Sequence, residues 1–415
     1  MEHLSTVIAI PIFLLFILVE YFATHKKHPD YYRLNDALTN LNIGVSHLLF
    51  KLLTTGLMLG AYSFVKDHFA IIHLSGVVAY IVVLILFDFC FYWAHRFGHE
   101  VNLFWGAHVV HHQSEEYNLS VALRQSWIHS FLAFIFFLPI AFLGVDVLTL
   151  GICASINSFF QFWIHTKAIN KMPKWFEAIF NTPSHHRVHH GVNPKYIDKN
   201  QAGMFIIWDK LFGTYQEEEE APLYGITTPL NSWNPAWANV EYYVTMFKNA
   251  KEFSVKDKCK YLFAKPGWRP IALGGQIPIP EADYHKTKYN ANATSRNLNI
   301  YVLVQFVAII VGLSAYLYNY DKLNTFFSVI FFSILMLSTV ICSAILEQKN
   351  WVKYAEYARL LIVAIAINAL YYINYNSWFY IVLILSAILT AYFLAWFTLN
   401  INNRFIFKKV IIENS

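Results

Sequence analysis

The chain has 415 residues, of which 57% are hydrophobic, 18% aromatic and only 14% charged, with a formal net charge of +5. Soluble domains carry about 25% charged residues, so this balance excludes an ordinary soluble globular protein and points to a membrane protein. The positive charge is spread over loops and forms no basic stripe, which excludes nucleic acid as a partner.

A membrane-spanning helix needs roughly 20 mostly apolar residues. In chain order, apolar runs predict spans over Leu4–Thr24, Leu41–Val65, Ile72–Trp93, Ser126–Leu143 and Val145–His165. A long polar stretch, 166–299, follows, holding the short acidic run Glu217–Glu220, which reads as a solvated loop. Four more spans are predicted over Ile300–Leu317, Phe326–Leu346, Ala355–Ile373 and Trp378–Leu399. The first run has neither a basic leader nor a small-residue cleavage site, so it reads as a retained helix. The fourth and fifth read either as two spans or as one re-entrant hairpin. The expected fold is an all-α integral membrane protein, a multi-span helical bundle. Its expected divisions are 1–94 (N-terminal helices), 95–230 (a histidine-bearing catalytic core), 231–299 (a cytoplasmic linker) and 300–415 (C-terminal helices).

Basic residues follow spans one, three, seven and nine: Lys26, Lys27 and Arg33; Arg96; Lys349 and Lys353; Arg404, Lys408 and Lys409. The connections on the opposite side are poor in charge. The positive-inside bias therefore predicts a cytoplasmic C-terminus, with every histidine-dense segment on the cytoplasmic side. The four cysteines, Cys90, Cys153, Cys259 and Cys342, are far apart and form no CxxC pair, so neither a disulfide framework nor a thiolate metal site is expected.

Eleven of the 18 histidines lie between 95 and 190. They fall into "HRFGH" (His95, His99), "HVVHH" (His108, His111, His112) and "HHRVHH" (His185, His186, His189, His190), with His129 and His165 apart. Helical residues three or four apart share a face, so each box presents its imidazoles together. A lone HxxxH arises often by chance; three boxes beside membrane spans point to a metal site. A single catalytic zinc uses three protein ligands. Eight or more imidazoles fit two transition metals with four or five ligands each, and imidazole alone does not choose among iron, zinc, copper and nickel. His165, at the end of "QFWIHT", is either a ligand or a membrane-interface residue. One of His185 and His186 supports the other from outside the coordination sphere. His129, in an apolar run with no partner at helical spacing, reads as structural. Glu100 follows the first box about 100° off its face. Phe91, Trp93, Phe104 and Trp105 read either as a water-excluding wall or as interfacial aromatics.

HxxxH, HxxHH and HxxHH in this order, interleaved with spans, resemble the fatty acid hydroxylase superfamily of integral-membrane di-iron oxygenases. The stretches "HEVNLFWGAHVVHHQSEEYNLSVALRQS", "FWIHT", "NTPSHHRVHHG" and "IDKNQAGMFIIWDKLFGTYQ" are similar to its branch that cleaves alkylglycerol ethers with tetrahydrobiopterin. "LNDALTNL" and "KPGW" extend the likeness beyond the core. The resemblance implies a di-iron site on His95, His99, His108, His111, His112, His186, His189 and His190, with an essential glutamate at Glu100. It also implies a membrane lipid substrate, O2, an external reductant, and a compartment that is the endoplasmic reticulum in a eukaryote or the inner membrane in a bacterium. Glu116 and Arg124 are candidate pterin contacts, with helix capping or loop structure as the competing role. Two other readings stand beside this one. The first is a fatty acid or sterol hydroxylase or desaturase fed by a cytochrome-type donor. The second is a metal transporter, against which the histidines' position at span ends and in a loop argues.

Overall fold

The computed structural model describes residues 2–281, 283–285, 288–289 and 294–402. The basic residues Arg404, Lys408 and Lys409, used above for topology, lie outside the described residues. Among the described residues the chain is helical, with a single isolated bridge between Phe180 and Phe205. Among the described residues seven helical stretches are long and apolar enough to cross a membrane: Thr6–Thr24, Pro29–Phe69, Gly76–Glu100, Arg296–Lys322, Thr325–Leu346, Val352–Asn374 and Phe379–Ile401. The chain is a multi-pass membrane protein.

Seven replaces the expected nine because the segment 126–163 does not form two spans. Ser126–Leu143 breaks into a five-residue helix, His129–Ala133, and two 3-10 turns, Phe134–Phe136 and Leu138–Leu143. Pro139 has no N–H to continue a helix, and the run ends at Gly144 with φ 66°. A side chain at Gly144 would place its Cβ 2.3 Å from the Ile72 carbonyl oxygen, so only glycine fits that turn. Backbone N–H groups of Ile71 and Leu74 donate to the carbonyls of Phe142 and Leu143 at 2.8 and 3.0 Å, pinning the turn. The next helix, Val147–Trp163, is only 17 residues long and is started by the Asp146 side chain accepting from Thr149 N–H at 2.8 Å.

The chain divides into two units. One comprises Phe16–Asn231 and Ala236–Lys288; the other takes Met1–Leu15, Ser232–Pro235 and Tyr289–Ser415. The cut falls inside the first helix, α1 (Glu2–Thr24). The larger unit carries α2 (Leu34–Phe69), α3 (Gly76–Glu100), α4 (Asn102–His112), α5 (Leu119–Ala122), α6 (His129–Ala133) and α7 (Val147–Trp163). It continues through α8 (Lys174–Ile179), α9 (Pro183–His189), α10 (Ile207–Phe212), α11 (Pro235–Asn249) and α12 (Val255–Phe263). Its apolar core joins α2, α3, the 138–145 turn and α7 through Tyr62, Val83, Ile140, Val145 and Cys153. The smaller unit holds α13 (Arg296–Asn319), α14 (Thr325–Leu346), α15 (Val352–Asn374) and α16 (Phe379–Asn402), with α13 against α14 and α16, and α15 against α14 and α16. Buried charge in that bundle is paired, as an apolar surround requires. Arg359 meets Glu356 at 2.6 Å and the Gln305 Oε1 at 2.6 Å, and Tyr301 donates to Glu356.

Candidate metal centre

Four pieces of chain bring histidines to one place. The last two turns of α3 supply His95 and His99, an i, i+4 pair. Val101 serves at once as C-cap of α3 and N-cap of α4, so the chain turns in one residue and α4 lays His108, His111 and His112 back beside α3. His165 follows the end of α7, and α9 with its C-cap supplies His186, His189 and His190. All nine are buried.

These nine form two groups: His95, His99, His108, His112 and His189 in one, and His111, His165, His186 and His190 in the other. Within each group the ligand atoms all lie within 4.8 Å of one another. The HxxHH boxes divide by helical position. In α4 the i, i+4 pair (His108, His112) goes to the first group and the i+3 residue (His111) to the second. In α9 the i, i+4 pair (His186, His190) goes to the second group and the i+3 residue (His189) to the first. One box pattern therefore serves two centres, and the two boxes do so in opposite senses.

Imidazole pairing does not explain the contacts. His108 Nε2 lies 2.9 Å from His95 Nε2 and 3.0 Å from His112 Nε2, and His165 Nε2 lies 3.1 Å from His111 Nε2 and 3.0 Å from His186 Nε2. A ring nitrogen has one proton or one lone pair, and cannot bond to two such neighbours at once. A shared ion satisfies all of them, since two ligands at right angles, each about 2.1 Å from a metal, stand about 3.0 Å apart. The buried Nε2 atoms of His99, His189 and His190 have no hydrogen-bond partner, as lone pairs reserved for an ion would not.

In four of the nine rings the opposite nitrogen is held by the backbone. Nδ1 of His95, His111, His165 and His189 meets the carbonyl oxygens of Gln201, Arg124, Gln161 and Lys199 at 2.8, 3.0, 2.7 and 3.0 Å. Donation from Nδ1–H to a carbonyl fixes the tautomer and turns the Nε2 lone pair inward. Burial pushes the His189 imidazole down to about 4 and that of His165 to about 3, and carries His108, His111, His112, His186 and His190 well below the ordinary value. The rings are thus neutral at pH 7, the state that binds metal.

Two of those carbonyls, Lys199 and Gln201, belong to a short segment whose Asp198 and Asn200 have φ of 58° and 53°. Such left-handed backbone in non-glycine residues is strained and is held by side chains from elsewhere. Asn200 Nδ2 donates to the carbonyls of His185 and Gln216, and its Oδ1 accepts from Gln216 N–H. The buried Asp209 carboxylate, on α10, accepts Gln201 N–H at 2.7 Å, Ala202 N–H at 2.8 Å and the Thr214 hydroxyl at 2.6 Å. Asp88, on α3, accepts the N–H groups of Met204 and Phe205 at 2.6 and 3.0 Å and the Trp208 indole N–H at 3.0 Å. Gly203 is forced here, because a Cβ would sit 2.6 Å from Asp88 Oδ1. None of these groups bears a motif; the signals legible in the sequence are Asp88, a lone carboxylate inside the apolar run Ile72–Trp93, and the acidic residue in "WDKLFGT".

The remaining expected residues fall as follows. His165 is brought into the second group. His185 is in neither: one position before His186, it points off that face, and its ring packs 5.6 Å from Tyr215. His129 lies outside both groups, yet its ring is 5.0 Å from His108. Glu100 is in neither group; it pairs with Arg96 at 3.1 Å, and Arg96 also donates to the Tyr92 hydroxyl. Tyr92 in turn contacts Thr214 at 3.0 Å, so Glu100 joins the Asp209 network from its outer end. Arg124 is buried with its guanidinium committed to Val110 O, Asn40 Oδ1 and Gln113 Oε1, and its own carbonyl orients His111. Glu116 is buried between Arg33 (2.5 Å) and Lys288 (2.7 Å); burial raises its carboxyl and Lys288 counters the rise. The aromatic wall divides: Phe91 stands 5.2 Å from His95 and Trp105 5.1 Å from His99, whereas Trp93 and Phe104 line a separate apolar cavity. Tyr117, whose ring is 5.2 Å from His190, closes the second group from another side.

Comparison with known proteins agrees with this geometry. The fatty acid hydroxylase family model matches residues 80–214, the span that holds every histidine of the two groups. The alkylglycerol monooxygenase of Danio rerio is 32% identical over 361 residues, covering 86% of this chain and 80% of that one. The Caenorhabditis elegans alkylglycerol monooxygenase is 30% identical over 378 residues, 83% of this chain and 73% of its own. The human protein of that name is 38% identical over 282 residues, 66% of this chain and 62% of its own, so that alignment spans less than two thirds of the human length. No solved structure is significantly similar to the chain. With a fatty acid hydroxylase core and relatives aligned over most of its length, the chain belongs to the alkylglycerol monooxygenase family.

Proposed function

We propose that this chain is a membrane monooxygenase that hydroxylates the ether-linked carbon of alkylglycerols. Two iron ions would be held by His95, His99, His108, His112 and His189 on one side and by His111, His165, His186 and His190 on the other. Iron so bound supplies activation of O2. One oxygen atom enters the C–H bond next to the ether oxygen and the other leaves as water, with two electrons and two protons taken from tetrahydrobiopterin or its equivalent. The hydroxylated ether is a hemiacetal; its C–O bond to glycerol breaks, giving a fatty aldehyde and free glycerol. The observation that carries this reading is the double cluster of nine buried imidazoles whose ligand atoms converge in two groups, three of them with an Nε2 that has no hydrogen-bond partner.

The chain's own residues set the conditions. Phe91, Trp105 and Tyr117 lie against the imidazoles and keep water from them. The carbonyls of Gln201, Lys199, Arg124 and Gln161 fix ring orientation. Glu116, with Arg33 and Lys288, is the polar cluster next to Tyr117 that would meet the pterin. Arg124 serves the centre through its carbonyl, and Glu100 through Arg96 and Tyr92. The site faces the cytoplasm, where the reductant is made, in the endoplasmic reticulum or a bacterial inner membrane. The alkyl tail of the substrate stays in lipid while its head reaches the interface.

The test is aldehyde release from an alkylglycerol by purified, iron-loaded protein, with and without tetrahydrobiopterin. Release that depends on the pterin is expected. Turnover only with a cytochrome-type donor, and no ether cleavage, would replace the reading by a fatty acid or sterol hydroxylase or desaturase.

A further inference from the structure

A second feature of the larger unit lies away from the imidazoles. A cavity of about 790 Å³ is lined wholly by apolar residues, among them Leu86, Cys90, Trp93 and Phe97 of α3, Phe136 and Phe263. Ligand-holding pockets run to roughly 300–1,000 Å³, so the space is large enough for part of an amphiphile. The four α3 residues recur at i, i+4, i+7 and i+11 and make one stripe. His95 and His99 lie two positions from Trp93 and Phe97, about 200° round the helix. The cavity is therefore on the far face of α3 from the metal centre. Phe97, Ile135 and Phe263 are exposed on its rim, at 38%, 61% and 65%.

Phe263 ends α12, which is seated beside the end of span α3. Asn102, the first residue of α4, donates its N–H to Ala264 O at 2.9 Å and its side-chain N–H to Tyr261 O at 3.1 Å. Tyr261 faces inward with Met246 and Phe253. Lys256, Lys260 and Phe263, at i, i+4 and i+7, share another face of α12, and the Lys260 ammonium lies 4.8 Å over the Trp268 ring. Residues 247–269 hold seven basic and two acidic side chains, a net +5 in a chain whose formal net charge is also +5. An all-apolar cavity beside a span thus ends at a concentration of positive charge.

We propose that the cavity and α12 together bind an anionic phospholipid, one acyl chain in the cavity and the phosphate headgroup on Lys256 and Lys260. The neutral alkylglycerol proposed as substrate does not match it, because that molecule carries no charge for the lysines and its ether carbon must reach the opposite face of α3. The site is independent of the proposed reaction. Its role is to hold α12 and the start of α4, six residues before His108 on that helix, against the membrane surface.

The full chain, purified and stripped of lipid, is titrated with dioleoylphosphatidylglycerol and with dioleoylphosphatidylcholine and read by native mass spectrometry. One phosphatidylglycerol is expected to bind about tenfold or more tightly than phosphatidylcholine, the preference coming from two lysines near an anionic headgroup. Lys256→Gln with Lys260→Gln is expected to bring the two lipids to parity, with iron content unchanged. Cys90→Trp, which fills the cavity, or Ile135→Trp at its rim should weaken both lipids. Equal binding of the two lipids by the unaltered chain would overturn the proposal. So would unchanged phosphatidylglycerol binding in the lysine variant, or displacement of the bound phosphatidylglycerol by an alkylglycerol, which would make the cavity the substrate's own.

Discussion

His111→Ala and His189→Ala are each expected to abolish turnover while removing one iron of two, and a different one in each case. The two residues sit in the same kind of box, and His189 alone among the α9 ligands faces the first group. Loss of one imidazole leaves three neighbours of His111 or four of His189 converged on an ion that no longer has its full set. Double substitution separates this arrangement from a single shared cluster. His111→Ala with His165→Ala removes two ligands of one ion, so the iron count stays near that of the single variants. His111→Ala with His189→Ala strikes both ions and takes the count towards zero. Metal analysis of the four purified proteins checks the pattern; equal losses in both double variants would contradict the partition.

Asp209→Ala is expected to lower metal affinity and activity by about 10–100-fold, the usual cost of losing a partner just outside the ligand shell, although Asp209 touches no ligand. Its carboxylate accepts two backbone N–H groups and the Thr214 hydroxyl in a buried site. Without it the peptide of Gln201 loses its anchor, and with it the carbonyl that sets the His95 tautomer. Asp209→Asn should fall between, because an amide oxygen still accepts while its NH2 confronts a donor. The readout is iron content against added iron, with helicity measured in parallel. A variant with native helicity and unchanged iron affinity would show that the 198–202 segment holds its shape unaided.

The sequence reading of the ligands rested on helical spacing, and spacing does place each box on one face. It does not say which members of a box serve which ion, since that depends on where α4 and α9 lie relative to α3. His165 was ambiguous because a lone histidine at a span end has no partner in sequence; its partners come from α4 and α9. The orienting carbonyls of Lys199, Gln201 and Arg124 were invisible because every residue has a carbonyl. Hydropathy reads Ser126–Leu143 and Val145–His165 as two spans or one re-entrant hairpin by counting apolar residues, and misses that Pro139 and Gly144 interrupt the helix. The division of the four aromatics was equally hidden, as Phe91 and Trp93 differ by two positions and so face opposite sides of α3.

The most direct test of the central claim is an iron count on the purified chain combined with X-ray absorption at the iron edge. Two irons per chain, ligated by nitrogen and oxygen with no sulfur, are expected. One iron, or none under conditions that support turnover, would contradict a centre built from two groups of histidines.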